Sequence, residues 1–189
     1  MTPSTSSQRA SRLKMLLIFF IFLAPIIAAA FFNYIGYRPG TNGHGQPIAP
    51  QRNFVTEGVQ VRLEDGRQYP WRDAAEPKMT LVALAGPGCA ARCLQELTKM
   101  AAAKVTLNRN LGRLRLLYVG IPPVDADHDG IRNYWQLGQV QGTGLDSFRP
   151  AGADTVSAVL VESNGTALAW YPAGFDPTGL RIDLQKVIH

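Results

Sequence analysis

The sequence has few of the residue types on which most chemistry depends. Its 189 residues include two cysteines, Cys89 and Cys93, and three histidines, His44, His128 and His189. Only 17% of the residues are charged. Phosphoryl transfer and triad hydrolysis lack candidate residues, because no Gly-rich phosphate loop, Ser-His-Asp set or paired-carboxylate site can be located. No internal repeat is visible, which argues against a solenoid or propeller. No acidic residue precedes Pro39, where Arg9, Arg12, Lys14 and Arg38 stand alone. These are four of the 19 Lys+Arg, leaving 15 against 14 Asp+Glu from Pro39 onward. The formal net charge of +5 is therefore an N-terminal property, and a nucleic-acid partner loses its main support. A 46% hydrophobic content rules out a disordered chain, and the length allows one ordinary domain with an appendage.

The appendage is read first. Residues 1–14 form a short basic lead expected in the cytoplasm, 15–36 a transmembrane anchor, 37–53 a flexible linker, and 54–189 the folded domain. The apolar run from Met15 to Ile35 matches the ~20 residues that cross a ~30 Å hydrocarbon core, and Pro25 need not break it. Cations ahead of the run place the domain on the far side of the membrane. Ala28-Ala29-Ala30 offers the alternative of a cleaved signal peptide, but the run is long for a signal core and continues through Phe31 and Phe32. Both alternatives export the domain. Arg38 to Arg52 holds three Gly and three Pro and reads as a tether, with His44 as a solvated side chain in it.

The remainder alternates between strand and helix patterns. Val59–Leu63 reads as a half-buried strand that turns at Glu64-Asp65-Gly66-Arg67. Met79–Ala85 and Leu114–Val119 are continuous apolar runs of the kind buried on both faces. Residues 94–111 show helical spacing through Leu94, Leu97, Ala101 and Val105, and a short helix is expected over 131–140. Thr155–Val161 and Ala167–Tyr171, joined through Ser163-Asn164-Gly165, form a hairpin. Asp176 caps a last helix that has Pro177 in its first turn and Leu180, Leu184, Val187 and Ile188 facing inward. The order indicates an α/β fold, a mixed sheet with flanking helices.

The chemistry centres on Gly86-Pro87-Gly88-Cys89-Ala90-Ala91-Arg92-Cys93. It follows a buried strand and opens a helix, so the two sulfurs four residues apart share one face. Two outcomes are geometrically open: convergence of two thiolates on one soft ion, or a disulfide. The helix start and Arg92 both favour thiolate formation. A bridge over so short a loop constrains the unfolded chain little, which argues for a functional pair rather than a structural staple.

The N-terminal anchor, the strand carrying Asp65-Gly66, the C-x-x-x-C at a helix start, the late Val161-Glu-Ser-Asn-Gly165 hairpin and the final helix together resemble the SCO/SenC family over 15–35 and roughly 59–189. The chain also looks like small thioredoxin-like proteins associated with bacterial cytochrome oxidase genes. The resemblance implies a thioredoxin-like fold on the outer, periplasmic side of the bacterial inner membrane. It further implies a role in cytochrome c oxidase assembly, with Cu(I) held by Cys89, Cys93 and a distal histidine for delivery to oxidase subunit II. Thr155 stands where the family's histidine would be, after Asp154. A C-x-x-C and a proline at position 155, as in ordinary thioredoxins, are also absent. The alternative function is a thiol–disulfide reductase that keeps the oxidase's copper-ligand cysteines reduced.

Asp125-Ala-Asp127-His128-Asp129-Gly130 resembles the start of a calcium loop. Position 12 of that loop is Gln136 where a bidentate Glu is needed, and Asn133 stands at position 9, so Ca2+ at Asp125, Asp127 and Asp129 is disfavoured. His128 is the candidate third copper ligand if its loop folds over Cys89. His189 is expected to be exposed. Six cations from Arg92 to Arg115 against Glu96 read as the solvated face of the long helix.

Overall fold

A computed structural model of the chain describes residues 5–34, 43–123 and 130–188. It divides into two compact units, Met1–Asn42 and Gly43–His189. In the first unit, α1 runs from Thr5 to Tyr34 with Pro25 inside it. Most of its described apolar side chains, among them Ile18, Phe19, Phe20 and Phe22, are exposed. Among the described residues, no helix is long and apolar enough to cross a membrane. The structure therefore gives no support to the anchor expected over 15–36.

The second unit is built on one seven-stranded sheet. In chain order the strands are β1 (Gln46–Pro47), β2 (Gln60–Leu63), β3 (Met79–Ala85), β4 (Leu114–Val119), β5 (Gln136–Gln141), β6 (Val156–Val161) and β7 (Ala167–Tyr171). Their spatial order is β1-β7-β6-β3-β4-β5-β2. β3, β4 and β5 are parallel neighbours, whereas β6, β7, β1 and β2 pair antiparallel. The helices are α2 (Ala91–Val105), the single turn α3 (Ile131–Tyr134) and α4 (Pro177–Val187).

The sheet separates two apolar layers. Leu81, Ala83 and Ala85 of β3 face Cys93, Leu97 and Met100 of α2 and Leu180 and Leu184 of α4. Val82 and Leu84 point the other way, toward Phe54, Trp71 and Phe148. This alternation is what the apolar run of β3 requires of a central strand covered on both sides. Asp176 caps α4 as expected, accepting from the Thr178 and Gly179 N–H groups at 2.9 and 3.1 Å.

Three expectations are corrected. The helix expected over 131–140 stops after Tyr134, and Gln136–Gln141 is β5, with buried Leu137 and Gly138 paired against β4 and β2. Pairing with β4 on one side and β2 on the other overrides the local helical spacing. Val187, expected inward, is 44% exposed, and Val105, expected on the same side as Leu97, is 49% exposed, each being the last residue of its helix. The tether expected over 37–53 is fixed from Gly43 onward. β1 pairs with β7, Gln51 Nε2 donates to the Ala167 carbonyl at 2.5 Å, and the domain begins ten residues before Asn53. His44 packs on Gly179, where an added Cβ would lie 2.6 Å from the imidazole Cγ.

Candidate functional site

The site forms where β3 leaves the sheet. The Gly86 N–H donates to the Thr155 carbonyl at 2.9 Å, which ties the strand exit to the loop ahead of β6. A Cβ on Gly86 would lie 2.3 Å from the Gly152 carbonyl oxygen and 3.1 Å from that of Pro150, so only glycine lets the two segments approach this closely. Gly88 then takes a positive φ of 64°, which turns the chain into α2. From the other side, the Arg149 guanidinium donates to the Ala85 carbonyl at 2.8 Å and braces the end of β3. The nearby Tyr118 hydroxyl donates to the Ile121 carbonyl, and burial pushes its pKa up to about 12.

Cys89 and Cys93 are joined as a disulfide, with Cα atoms 5.2 Å apart. Of the two outcomes the spacing left open, the structure takes the bridge. The partners are unequal. Cys93 is fully buried among Leu97, Ala85 and their neighbours, whereas Cys89 is half-buried at the head of the helix.

Asp154, a residue that sequence reasoning passed over, shapes the helix start. Ala90 is the cap residue of α2 and provides no side-chain bond. The Asp154 carboxylate takes that role from 64 residues away. Oδ1 accepts from the N–H groups of Ala90 at 2.8 Å and Cys93 at 2.9 Å, and Oδ2 accepts from that of Arg92 at 3.1 Å. The Cys93 amide foremost, together with those of Ala90 and Arg92, holds the Asp154 carboxyl below the usual carboxylate range. Asp154 itself sits at φ 52°, and its own N–H donates to the Pro87 and Gly88 carbonyls. A turn after Pro150 and Gly152 was the one available signal, since Asp tolerates this conformation better than most residues.

The position at which the resemblance implies a histidine holds Thr155. Thr155 lies beside the site, and its hydroxyl donates to the Gly152 carbonyl at 2.6 Å. A hydroxyl engaged in this way is a hard, neutral group and a poor substitute for an imidazole on a soft ion. Among the described residues, no three His, Cys, Asp or Glu side chains gather into a metal-holding group. His128, Asp125, Asp127, Asp129 and His189 lie outside them. His44, expected to be solvated, is instead held by Asp183: its N–H donates at 2.6 Å and its ring Nδ1 lies 3.3 Å from the carboxylate.

Residues 79–189 match the family described as transmembrane-like, thioredoxin-like, C-terminal domain. The chain belongs to this family. The match begins at β3 and takes in both cysteines, Asp154 and α4, so the thioredoxin-like fold covers the whole of the site. No curated protein matches the chain. Among solved structures, it is similar to ScoI of Arabidopsis thaliana with copper bound, at 17% identity and TM-score 0.47, over 76% of this chain and 97% of that one. It is also similar to BsSco, a member of the Sco family of cytochrome c oxidase assembly proteins, at 12% identity and TM-score 0.45, over 80% and 100% of the two chains. A putative thiol:disulfide interchange protein DsbE from Chlorobium tepidum matches at 11% identity and TM-score 0.47, over 76% and 94%.

Proposed function

We propose that the domain is a thiol–disulfide reductant, in which the reduced Cys89–Cys93 pair donates two electrons to a disulfide of a partner protein. The observation that carries this reading is the asymmetry of the pair: a half-exposed Cys89 at a helix start, bonded to a fully buried Cys93. In the reduced form, the Cys89 thiolate attacks one sulfur of the partner's disulfide and forms a mixed disulfide, releasing one partner thiol. Cys93 then loses its proton and attacks Cys89, which releases the second partner thiol and restores the bridge. The partner gains two electrons and two protons. The domain loses the same, and an upstream dithiol must return them.

The sequence resemblance suggests the partner: the copper-ligand cysteines of a cytochrome oxidase subunit II, or a protein that assembles it. The same resemblance supports a second reading, in which Cys89 and Cys93 carry Cu(I) to that centre as cargo. We infer a site of action outside the bacterial inner membrane. Supporting this are the cations without anions ahead of Pro39 and the rarity of stable disulfides in reducing compartments.

Reduced protein mixed with insulin or another disulfide protein, and separately titrated with Cu(I) against a competing chelator, distinguishes the readings. Reduction of the protein disulfide, lost in Cys89→Ser, is the expected result. Stoichiometric Cu(I) retention without any disulfide reduction would favour the carrier instead. A pair inert in both assays would sink both.

A further inference from the structure

The Asp154 carboxylate holds the amides that a thiolate at the head of α2 would otherwise use. The free N–H groups at a helix start, and the positive end of its dipole, are what commonly stabilise a thiolate there. Here the N–H groups of Ala90, Arg92 and Cys93 all point to Asp154 oxygens at 2.8 to 3.1 Å. Two of these residues flank the bridge directly: Ala90 follows Cys89, and the Cys93 amide belongs to the buried cysteine itself. The carboxylate is also fixed in place. Its backbone is tied to Pro87 and Gly88, and its loop is in close contact with Gly86, so it does not move aside without breaking several hydrogen bonds.

The disulfide carries no charge, so a carboxylate at this point leaves it undisturbed. The dithiol form differs. A thiolate developing on Cys89 finds the Ala90, Arg92 and Cys93 amides already bound to a carboxylate and loses the stabilisation they would give it. We propose that Asp154 sets the redox poise of the Cys89–Cys93 pair, biasing it toward the disulfide and making the reduced pair a stronger electron donor. This rests on the reductant reading and adds the residue that gives it direction. Asp154 is a positioning residue that acts through the backbone amides.

A simple helix cap would stabilise the oxidised and reduced proteins alike and leave their ratio untouched. The test is equilibration of the full chain with dithiothreitol redox mixtures at pH 7, with free thiols counted by alkylation and mass. In each exchange the protein disulfide gains two electrons and two protons, and dithiothreitol closes to its cyclic disulfide. Asp154→Ala is expected to shift the equilibrium toward the dithiol at least tenfold, about 30 mV for a two-electron couple. Asp154→Asn, which keeps acceptor oxygen but loses the charge, should fall between Ala and wild type. Should the alanine variant fail to fold, the asparagine variant alone decides, with a threefold or larger shift expected. An unchanged ratio, or a shift toward the disulfide, overturns the proposal whatever the melting temperatures do. The reductant reading fails by a separate outcome: wild-type protein that equilibrates with dithiothreitol yet reduces no protein disulfide.

Discussion

Asp183 of α4 accepts the backbone N–H of His44 at 2.6 Å across 139 residues of chain. The same buried carboxylate takes the Gly45 N–H at 3.1 Å and the Tyr171 hydroxyl at 3.0 Å. One side chain thus joins the last helix, the β7 strand and the segment that leads into the domain.

Replacing this carboxylate is therefore expected to cost more than an ordinary surface substitution. Asp183→Ala leaves two backbone amides and a buried tyrosine hydroxyl without their acceptor, a loss on the order of 2–3 kcal/mol. Urea unfolding of the two proteins measures it, and a loss below about 0.5 kcal/mol would contradict the network.

Acid stability follows from the same groups. Burial pushes the Asp183 carboxyl up, but the donors from Gly45, His44 and Tyr171 outweigh it and hold its pKa below the ordinary 3.8. Asp154 and Asp176 are lowered too, chiefly by backbone N–H groups at the starts of α2 and α4. A carboxyl with a depressed folded pKa contributes fully above its unfolded value and loses that contribution as pH falls through the folded one. The melting temperature should therefore hold from pH 7 to about 5 and drop below about 4. In Asp183→Asn the acid drop should be shallower, starting from a lower value at pH 7. Thermal melts at a series of pH values read both.

The start of the domain can be tested by truncation. A fragment 43–189 should melt close to the full chain, whereas 54–189 loses β1, the Gln51 bond and the His44–Asp183 contact. Its melting temperature should fall by several degrees, roughly 2–4 °C for each kcal/mol lost. Equal melting of the two fragments would return residues 43–53 to the status of a tether.

Reactivity at the two sulfurs should be unequal. After reduction, iodoacetamide should label Cys89 at least about tenfold faster than Cys93, because the latter has no exposed surface. Timed alkylation followed by peptide mass analysis gives the ratio, and equal rates would remove the basis for the proposed order of attack.

Gly86 offers a steric test of the site. The added methyl of Gly86→Ala would lie 2.3 Å from a backbone oxygen, which cannot rotate away, so strand exit and loop must part. The expected loss is about 1–3 kcal/mol. It should come with faster reduction of the bridge by dithiothreitol, since Asp154 sits on the loop that moves. Chemical denaturation and a reduction time course check the two halves separately.

The elements legible in the sequence were those whose signals are local. The apolar run of β3, the Asn164-Gly165 turn and the Asp176-Pro177 start of α4 each carry their instruction within a few residues, and each formed as read. The paired cysteines at a helix start were legible for the same reason. β5 was misread because Gln136–Gln141 becomes a strand only through pairing with β4 and β2. Gly43–Arg52 looked unstructured because its partners lie at Ala167, Trp170 and Asp183, far along the chain. Asp154 was missed because it bonds to main-chain N–H groups, and these leave no mark on the identity of residues 90, 92 and 93.

The outermost strands have one further consequence. β1 is two residues long and includes Pro47, and the rim strand β2 is bridged by the returning chain through Arg62 and Gln68. Neither margin offers a long ladder of free backbone groups onto which a foreign strand could add. The domain is thereby guarded against fibril-like self-association by extension of its sheet.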